Sequence, residues 1–413
     1  MNRTPASRIL AGCLAAFLLL NHAMAAAAPP RLVAIGDVHG AYEELVALLQ
    51  RTGLIDGNRR WEAGSTILVQ TGDLVDRGSR MRDCLDLIMD LERQAEKQRG
   101  KVIRLLGNHE AMNIMGDLRY VTDEIYRSFA TAQSAGVRER AYRDYLAFLA
   151  AHRAHAHTKV AGDDASRQKW MEEHPPGFFE YCDALSPKGR YGSWLRQHRV
   201  LAQVGDGLFV HAGLNPMLPF RTVADLDSQV RAELARFDSI RQSLSEKKVI
   251  WRYMKLEEVV SHVVEELKWI QAQGYVEDLE AAQQMQSLLG YTTWMAVSPD
   301  GPLWYRGLVQ EPEEKLAGPL GAMLARLKAR YLVSGHTVQS VTGIVSRFDN
   351  RVFLIDTGML KSAYQGRASA LEIQNGRFTA YYLDGEPQVL GSPSGGDVAP
   401  PSAAELRNRI DAR

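Results

Sequence analysis

Three times in the first 110 residues, a short apolar run breaks off at a glycine-containing polar turn and gives way to a helical pattern. Arg31-Leu-Val-Ala-Ile35 ends at Gly36-Asp37, and Leu45, Leu48 and Leu49 then share one helical face. Thr66-Ile-Leu-Val-Gln70 ends at Gly72-Asp73 and precedes a predicted helix over about 80–98. Val102-Ile-Arg-Leu-Leu106 ends at Gly107-Asn108-His109-Glu110. Runs this short and apolar read as strands. Strands alternating with helices imply a parallel sheet with helices packed outside. The polar residues then collect where the strands end, the usual place for a site in such a sheet.

The second half changes character. Val200 to Val204 and Leu208 to His211 flank Gly205-Asp206-Gly207, a hairpin signal. After Tyr331-Leu-Val333 the pattern turns strand-rich, with turns at Asp349-Asn350 and Asn375-Gly376. This predicts a second, more antiparallel sheet against the first. Two long, mostly helical insertions, about 115–198 and 216–298, are too long for simple connections and are expected to cap the strand ends. A catalytic domain over about 30–384 and a mobile Gly-, Pro- and Ser-rich tail over 385–413 complete the division.

With 49 basic and 49 acidic residues, no global field recruits nucleic acid or an anionic membrane. Any electrostatic attraction to a charged ligand must be local. Residues 1–25 read as a signal peptide: Arg3 and Arg8, an apolar run Ile9 to Leu20, then Ala23-Met24-Ala25 for cleavage. Leu10-Ala11-Gly12-Cys13 resembles a lipobox, but the apolar run continues past Cys13. The expectation is therefore export to a bacterial periplasm without stable membrane insertion, ahead of a lipid-anchored form. Cys84 and Cys182 remain after cleavage. One disulfide is permitted there, but Cys84 sits among Leu85, Leu87 and Ile88 and is expected to be a buried thiol.

The chemistry lies in Gly36-Asp-Val-His-Gly40, Gly72-Asp-Leu-Val-Asp-Arg-Gly78 and Gly107-Asn-His-Glu110. Carboxylates and imidazoles delivered from several strand ends suit a pair of divalent cations. Glycines let the backbone turn tightly beneath them. Such a pair is a Lewis acid that generates hydroxide near neutral pH. In this order the trio resembles the phosphoprotein phosphatase family of the calcineurin-like metallophosphoesterases. His211-Ala-Gly213 and Ser334-Gly-His-Thr337 extend the match. Trp304-Tyr-Arg-Gly307 and Ile355-Asp-Thr-Gly358 resemble the Shewanella-like branch.

The resemblance implies an α/β four-layer sandwich, two mixed sheets flanked by helices, with a helical cap. It implies two metal ions, manganese ahead of iron or zinc. Asp37 and His39 would bind the first, Asp73 would bridge, and Asn108, His211 and His336 would complete the second. His109, oriented by Asp76, would protonate the leaving oxygen. Arg77, Arg306 and Asn108 would hold the phosphate. The implied activity is hydrolysis of phosphate monoesters on phosphoproteins or phosphopeptides, at serine, threonine or tyrosine. The alternative is an exported phosphohydrolase of small compounds such as nucleotides or dinucleoside polyphosphates. A binding protein without turnover would have lost a ligand or the acid, and none is missing.

Other residues carry weaker expectations. Glu110 reads as an orienting group rather than a ligand. His152, His155, His157 and His174 could mark a further metal site, but their uneven spacing favours a solvated surface. Trp170, Phe178, Phe179, Tyr181 and Trp194 read as core of the insertion before substrate cleft. Tyr364 is a candidate to approach the phosphate.

Overall fold

The computed structural model describes residues 30–152, 164–340 and 342–393. The chain opens as β1 (Leu32–Ile35), α1 (Tyr42–Arg51), β2 (Ile67–Gln70), α2 (Met81–Lys97), β3 (Lys101–Arg104) and α3 (Asn108–Met115). The first insertion forms α4 (Asp123–Phe129), α5 (Ser134–Ala151), α6 (Asp164–Glu173), α7 (Phe178–Leu185) and α8 (Arg190–Leu195). The hairpin β4 (Leu201–Val204) and β5 (Gly207–Val210) precedes the second insertion, α9 (Val223–Glu246), α10 (Leu256–Gln273) and α11 (Leu279–Leu289). Then come α12 (Gly307–Gln310), α13 (Glu313–Arg326), β6 (Tyr331–Ser334), β7 (Val345–Arg347), β8 (Val352–Leu354), α14 (Lys361–Tyr364), β9 (Ser369–Gln374), β10 (Arg377–Tyr382) and β11 (Gln388–Leu390).

The strands build two mixed sheets, ordered β11-β10-β9-β1-β2-β3 and β4-β5-β6-β8-β7. β1, β2 and β3 are parallel, as the alternating pattern predicts. Leu32, Ala34, Ile67 and Val69 point into the space between the sheets, against Phe209, Val333 and Phe353. Val33, Ile35 and Leu68 point the other way, into the core beneath the helices. Both faces being covered is why these strands read as unbroken apolar runs. The stacked rings of Phe353 and Phe378, 4.6 Å apart, lie in the inter-sheet layer.

One expectation needs correcting. The strand-rich C-terminal part does not all join the second sheet: β9 pairs antiparallel with β1, Leu32 opposite Ile373 and Ile35 opposite Ala370. β2 occupies only one edge of β1, and an apolar strand left with an open edge is a pairing liability. The second sheet also contains two parallel pairs, β5 with β6 and β6 with β8. β11 falls inside the segment expected as tail and pairs with β10; residues 394–413 lie outside the described residues.

The insertions are helical, and the five aromatic residues singled out in the first are core. Trp170, Phe178, Phe179, Tyr181 and Trp194 are buried. Trp251 of the second insertion packs on Tyr145, Phe179 and Trp170 of the first, joining the two into one cap. α9 packs against α3, so the cap rests on a helix that begins at Asn108. His174 is a core histidine, stacked on Trp170 at 4.2 Å with Nδ1 on the Trp170 carbonyl. His155 and His157 lie outside the described residues, as does the leader. Cys84 is buried and both thiols are free. Among the described residues, no helix is long and apolar enough to cross a membrane.

Candidate metal and phosphate site

Turns following β1, β2, β3, β5, β6 and β8 deliver Asp37 and His39, Asp73 to Arg77, Asn108 and His109, His211, His336 and Asp356 to one edge of the sandwich. The backbone bends sharply to do so. His39, Asp73, Asp76, Arg77 and His336 all have φ between +48° and +68°. Each such non-glycine residue costs on the order of 1–3 kcal/mol and persists only where its surroundings hold it. Part of that hold is direct: the N–H groups of Val38 and His39 both donate to the Asp73 carbonyl at 2.9 Å. Two glycines make room for carboxylates. A Cβ on Gly107 would sit 2.1 Å from Asp73 Oδ1, and one on Gly335 would sit 2.3 Å from Asp37 Oδ1.

Asp73 belongs to two clusters whose atoms could hold a cation: His39, Asp73 and His109, and Asp73, His211 and His336. Its two oxygens face opposite ways. Oδ2 lies 3.5 Å from His39 Nε2, and Oδ1 lies 3.5 Å from His211 Nε2. Asp37 Oδ2 stands 4.0 Å from His39 Nε2. His39 Nδ1 meets the Val75 carbonyl and His211 Nδ1 the Thr71 carbonyl, each at 2.9 Å. A carbonyl only accepts, so both rings donate there and turn the lone pair of Nε2 toward the site. His211 Nε2 then faces Asn108 Oδ1 at 2.8 Å and His336 Nδ1 at 3.2 Å. Two acceptors that close, with no proton on His211 Nε2 to share, fit a cation between them. Buried His336 Nε2 has no hydrogen-bond partner among the described residues.

The electrostatics agree. Burial, then Asp356 and Asp73, raise the Asp37 carboxyl well above its ordinary range; burial, then Glu110, does the same for Asp73. Asp356, hydrogen-bonded to Asp37, is pushed up to about 6 chiefly by burial. Burial holds His39 and His336 well below the usual imidazole range and His211 down to about 3, so all three are neutral donors. A bank of buried carboxylates beside neutral imidazoles is costly unless positive charge enters it. The residues fit divalent metal.

Beside this centre, Asp76 Oδ2 holds His109 Nδ1 at 2.6 Å. Asn113 Nδ2 donates to Asp76 Oδ1 at 2.9 Å and to the His109 carbonyl, and Tyr181 donates to Asn113 Oδ1. Burial pushes the Asp76 carboxyl up to about 7; burial, then Arg77, holds the His109 imidazole down to about 3. Arg77 reaches His109 Nε2 at 3.4 Å and lies under Tyr120 (4.6 Å) and Tyr364 (5.5 Å). Tyr364 also stacks on His39 at 5.9 Å. Arg306 donates to Thr337 Oγ1 at 2.7 Å, on the His211 and His336 side. Glu110 contributes no ligand atom to either cluster: its carboxylate accepts from the N–H groups of Asp73, Leu74, Val75 and Gly107.

Every residue singled out in the motifs thus comes to one place. Sequence reasoning gave no role beside the metal ligands to four others. Asp356 could have been found as another polar residue just after an apolar strand, and Asn113 as a polar residue one turn beyond His109. Tyr120, inside the first insertion, carried no signal, and Tyr181 read as core of that insertion before substrate cleft.

A two-sheet sandwich that gathers two groups of candidate metal ligands at its strand ends has the architecture of a metallophosphoesterase. The calcineurin-like phosphoesterase family profile matches residues 30–340, and the chain belongs to that family. An uncharacterised protein of Schizosaccharomyces pombe is 30% identical over 352 residues, 84% of this chain and 77% of that protein. The Arabidopsis thaliana Shewanella-like protein phosphatase 2 is 36% identical over 190 residues, 45% of this chain and 47% of that protein. The crystal structure of the cold-active protein-tyrosine phosphatase of a psychrophilic Shewanella has a TM-score of 0.55 at 23% identity, over 88% of this chain and 80% of that chain, a likeness of fold.

Proposed function

We propose that the protein is a dinuclear metal-dependent phosphatase that hydrolyses phosphate monoesters on phosphoproteins or phosphopeptides. The observation that carries the reading is Asp73, whose two oxygens face two donor clusters flanked by Arg77, Arg306 and the His109–Asp76 pair. Asp37, His39 and Asp73 would hold one cation, and Asp73, Asn108, His211 and His336 the other. Bound there, two divalent ions, manganese in this proposal, supply Lewis acidity and acidify water at neutral pH. Arg77 and Arg306 bind the phosphoryl oxygens from opposite sides and neutralise charge that builds there. With Nδ1–H held by Asp76, His109 presents Nε2 to the leaving oxygen and delivers its proton from that atom. A phosphate dianion beside Nε2 favours the protonated ring and works against burial. The protein-phosphatase names of the relatives support the substrate class. The leader reading supports export, which N-terminal sequencing of secreted material tests.

The experiment is a substrate profile of the mature chain, stripped of metal and refilled with manganese. Phosphopeptides are expected to exceed nucleotides and dinucleoside polyphosphates in kcat/KM. The reverse order would move the assignment to small phosphate compounds. No metal-dependent hydrolysis of any ester would end it.

A further inference from the structure

The His109 imidazole is aimed from further away than its own motif. Asp76 turns Oδ2 to His109 Nδ1 at 2.6 Å and Oδ1 to Asn113 Nδ2 at 2.9 Å. Among the described residues its carboxylate takes no other hydrogen bond. Asp76 is fully buried and sits at a φ of +68°, so its aim depends on the partners it is given. Asn113 lies one turn past His109 on α3 and commits its whole amide here. One Nδ2 hydrogen goes to Asp76 and the other to the His109 carbonyl, each at 2.9 Å. A carbonyl only accepts, so the amide nitrogen is the atom at His109, and Oδ1 faces Tyr181.

Tyr181 belongs to α7 of the first insertion and donates its hydroxyl to that Oδ1. Its ring is fully buried, set edge-on against Tyr126 at 5.3 Å and Phe129 at 5.1 Å. Packing of the insertion therefore decides where the hydroxyl stands. A phenylalanine would fill the same apolar pocket without the cost of burying a hydroxyl. The one hydrogen bond that this hydroxyl makes among the described residues is the one to Asn113. Burial holds it far above its ordinary range, so it keeps its proton and remains a donor.

We propose that Tyr181 is a positioning residue for the leaving-group acid: the insertion fixes Asn113, Asn113 fixes Asp76, and Asp76 aims His109. The inference rests on the reading of His109 as that acid. Without the hydroxyl, Asn113 Oδ1 is left buried without its donor. The amide and Asp76 then resettle, and His109 Nε2 drifts from the leaving oxygen. The cap thus governs how well the proton is delivered, besides covering the strand ends. A good leaving group departs with little help from a proton, so the loss falls mainly on poor ones.

The test is leaving-group selectivity in Tyr181→Phe, which removes one oxygen and keeps the ring. In the manganese-loaded mature chain, kcat on phenyl phosphate is expected to fall about 10-fold with KM unchanged. On p-nitrophenyl phosphate, a better leaving group of similar shape, the fall is expected to be about 2-fold. Manganese content and circular dichroism stay those of the parent. Asn113→Leu, which removes the whole link, should lose about 100-fold on phenyl phosphate with the same selectivity. In a His109→Asn background Tyr181→Phe should add nothing, because it acts only through that ring. No loss on phenyl phosphate, a loss equal on both esters, or the same loss with and without His109 overturns the proposal and leaves His109 as the acid. If His109→Asn itself slows both esters equally, the acid reading fails and the proposal fails with it.

Discussion

Replacing Glu110 by glutamine keeps the side chain's shape and halves its power to accept. The carboxylate takes four backbone N–H groups, from Asp73 and Gly107 on Oε2 and from Leu74 and Val75 on Oε1. It pins the turn after β2 to the turn after β3. An amide must put NH2 where one oxygen was. The cheaper choice gives up the Oε1 side, where the Val75 bond is already long at 3.3 Å. Two buried donors then face another donor, at roughly 1–3 kcal/mol each. The amide avoids the desolvation that raises the Glu110 carboxyl, which offsets part of this. A net loss of about 3 kcal/mol is expected. At about 2.1 cal/mol/K per residue, the ~350 described residues have an unfolding entropy of about 0.7 kcal/mol/K, so the midpoint should fall by about 4 °C. Because Asp73 moves with the turn, metal-dependent activity should fall about 10- to 100-fold. The assays are thermal unfolding of the stripped chain and hydrolysis across a manganese titration. A variant with unchanged midpoint and unchanged metal dependence would refute the pinning role.

Other substitutions test other parts of the site. His109→Asn, with metal content unchanged, should cut turnover of a poor leaving group about 10²- to 10⁴-fold and of p-nitrophenyl phosphate less; equal losses on both would remove His109 as the acid. Arg306→Lys keeps charge and loses the fork, so kcat/KM should fall roughly 10- to 100-fold, and an unchanged value would leave Arg306 to Thr337 alone. Burial holds His174 down to about 4, below an unfolded value of about 6.5, so the unfolded chain binds more protons between those values. Stability is therefore lost as pH falls through that window, by up to ~3 kcal/mol, and His174→Phe should flatten this part of the Tm–pH curve.

Legibility followed the physics of each feature. The strand-end ligands from Asp37 to His336 could be read because glycine, carboxylate and imidazole beside short apolar runs have few other reasons to coincide. Asn113 and Tyr181 could not, since a hydrogen bond between a helix residue and a buried tyrosine of the insertion leaves no local pattern. Asp356 stood between, visible as a strand-end residue but silent about its hydrogen bond to Asp37. The pairing of β9 with β1 was hidden because strand periodicity names a face and not a neighbour.

By itself the chain's order of residues determined the parallel strand–helix units, the helical character of the insertions and the identity of the candidate ligands. These depend on hydrophobic period and side-chain chemistry, which are local. Tertiary structure alone decided that Asp73 turns its oxygens to two clusters, that β9 to β11 extend the first sheet, and that Tyr181 meets Asn113. Those are contacts between residues far apart in sequence, and close packing of the whole core selects them.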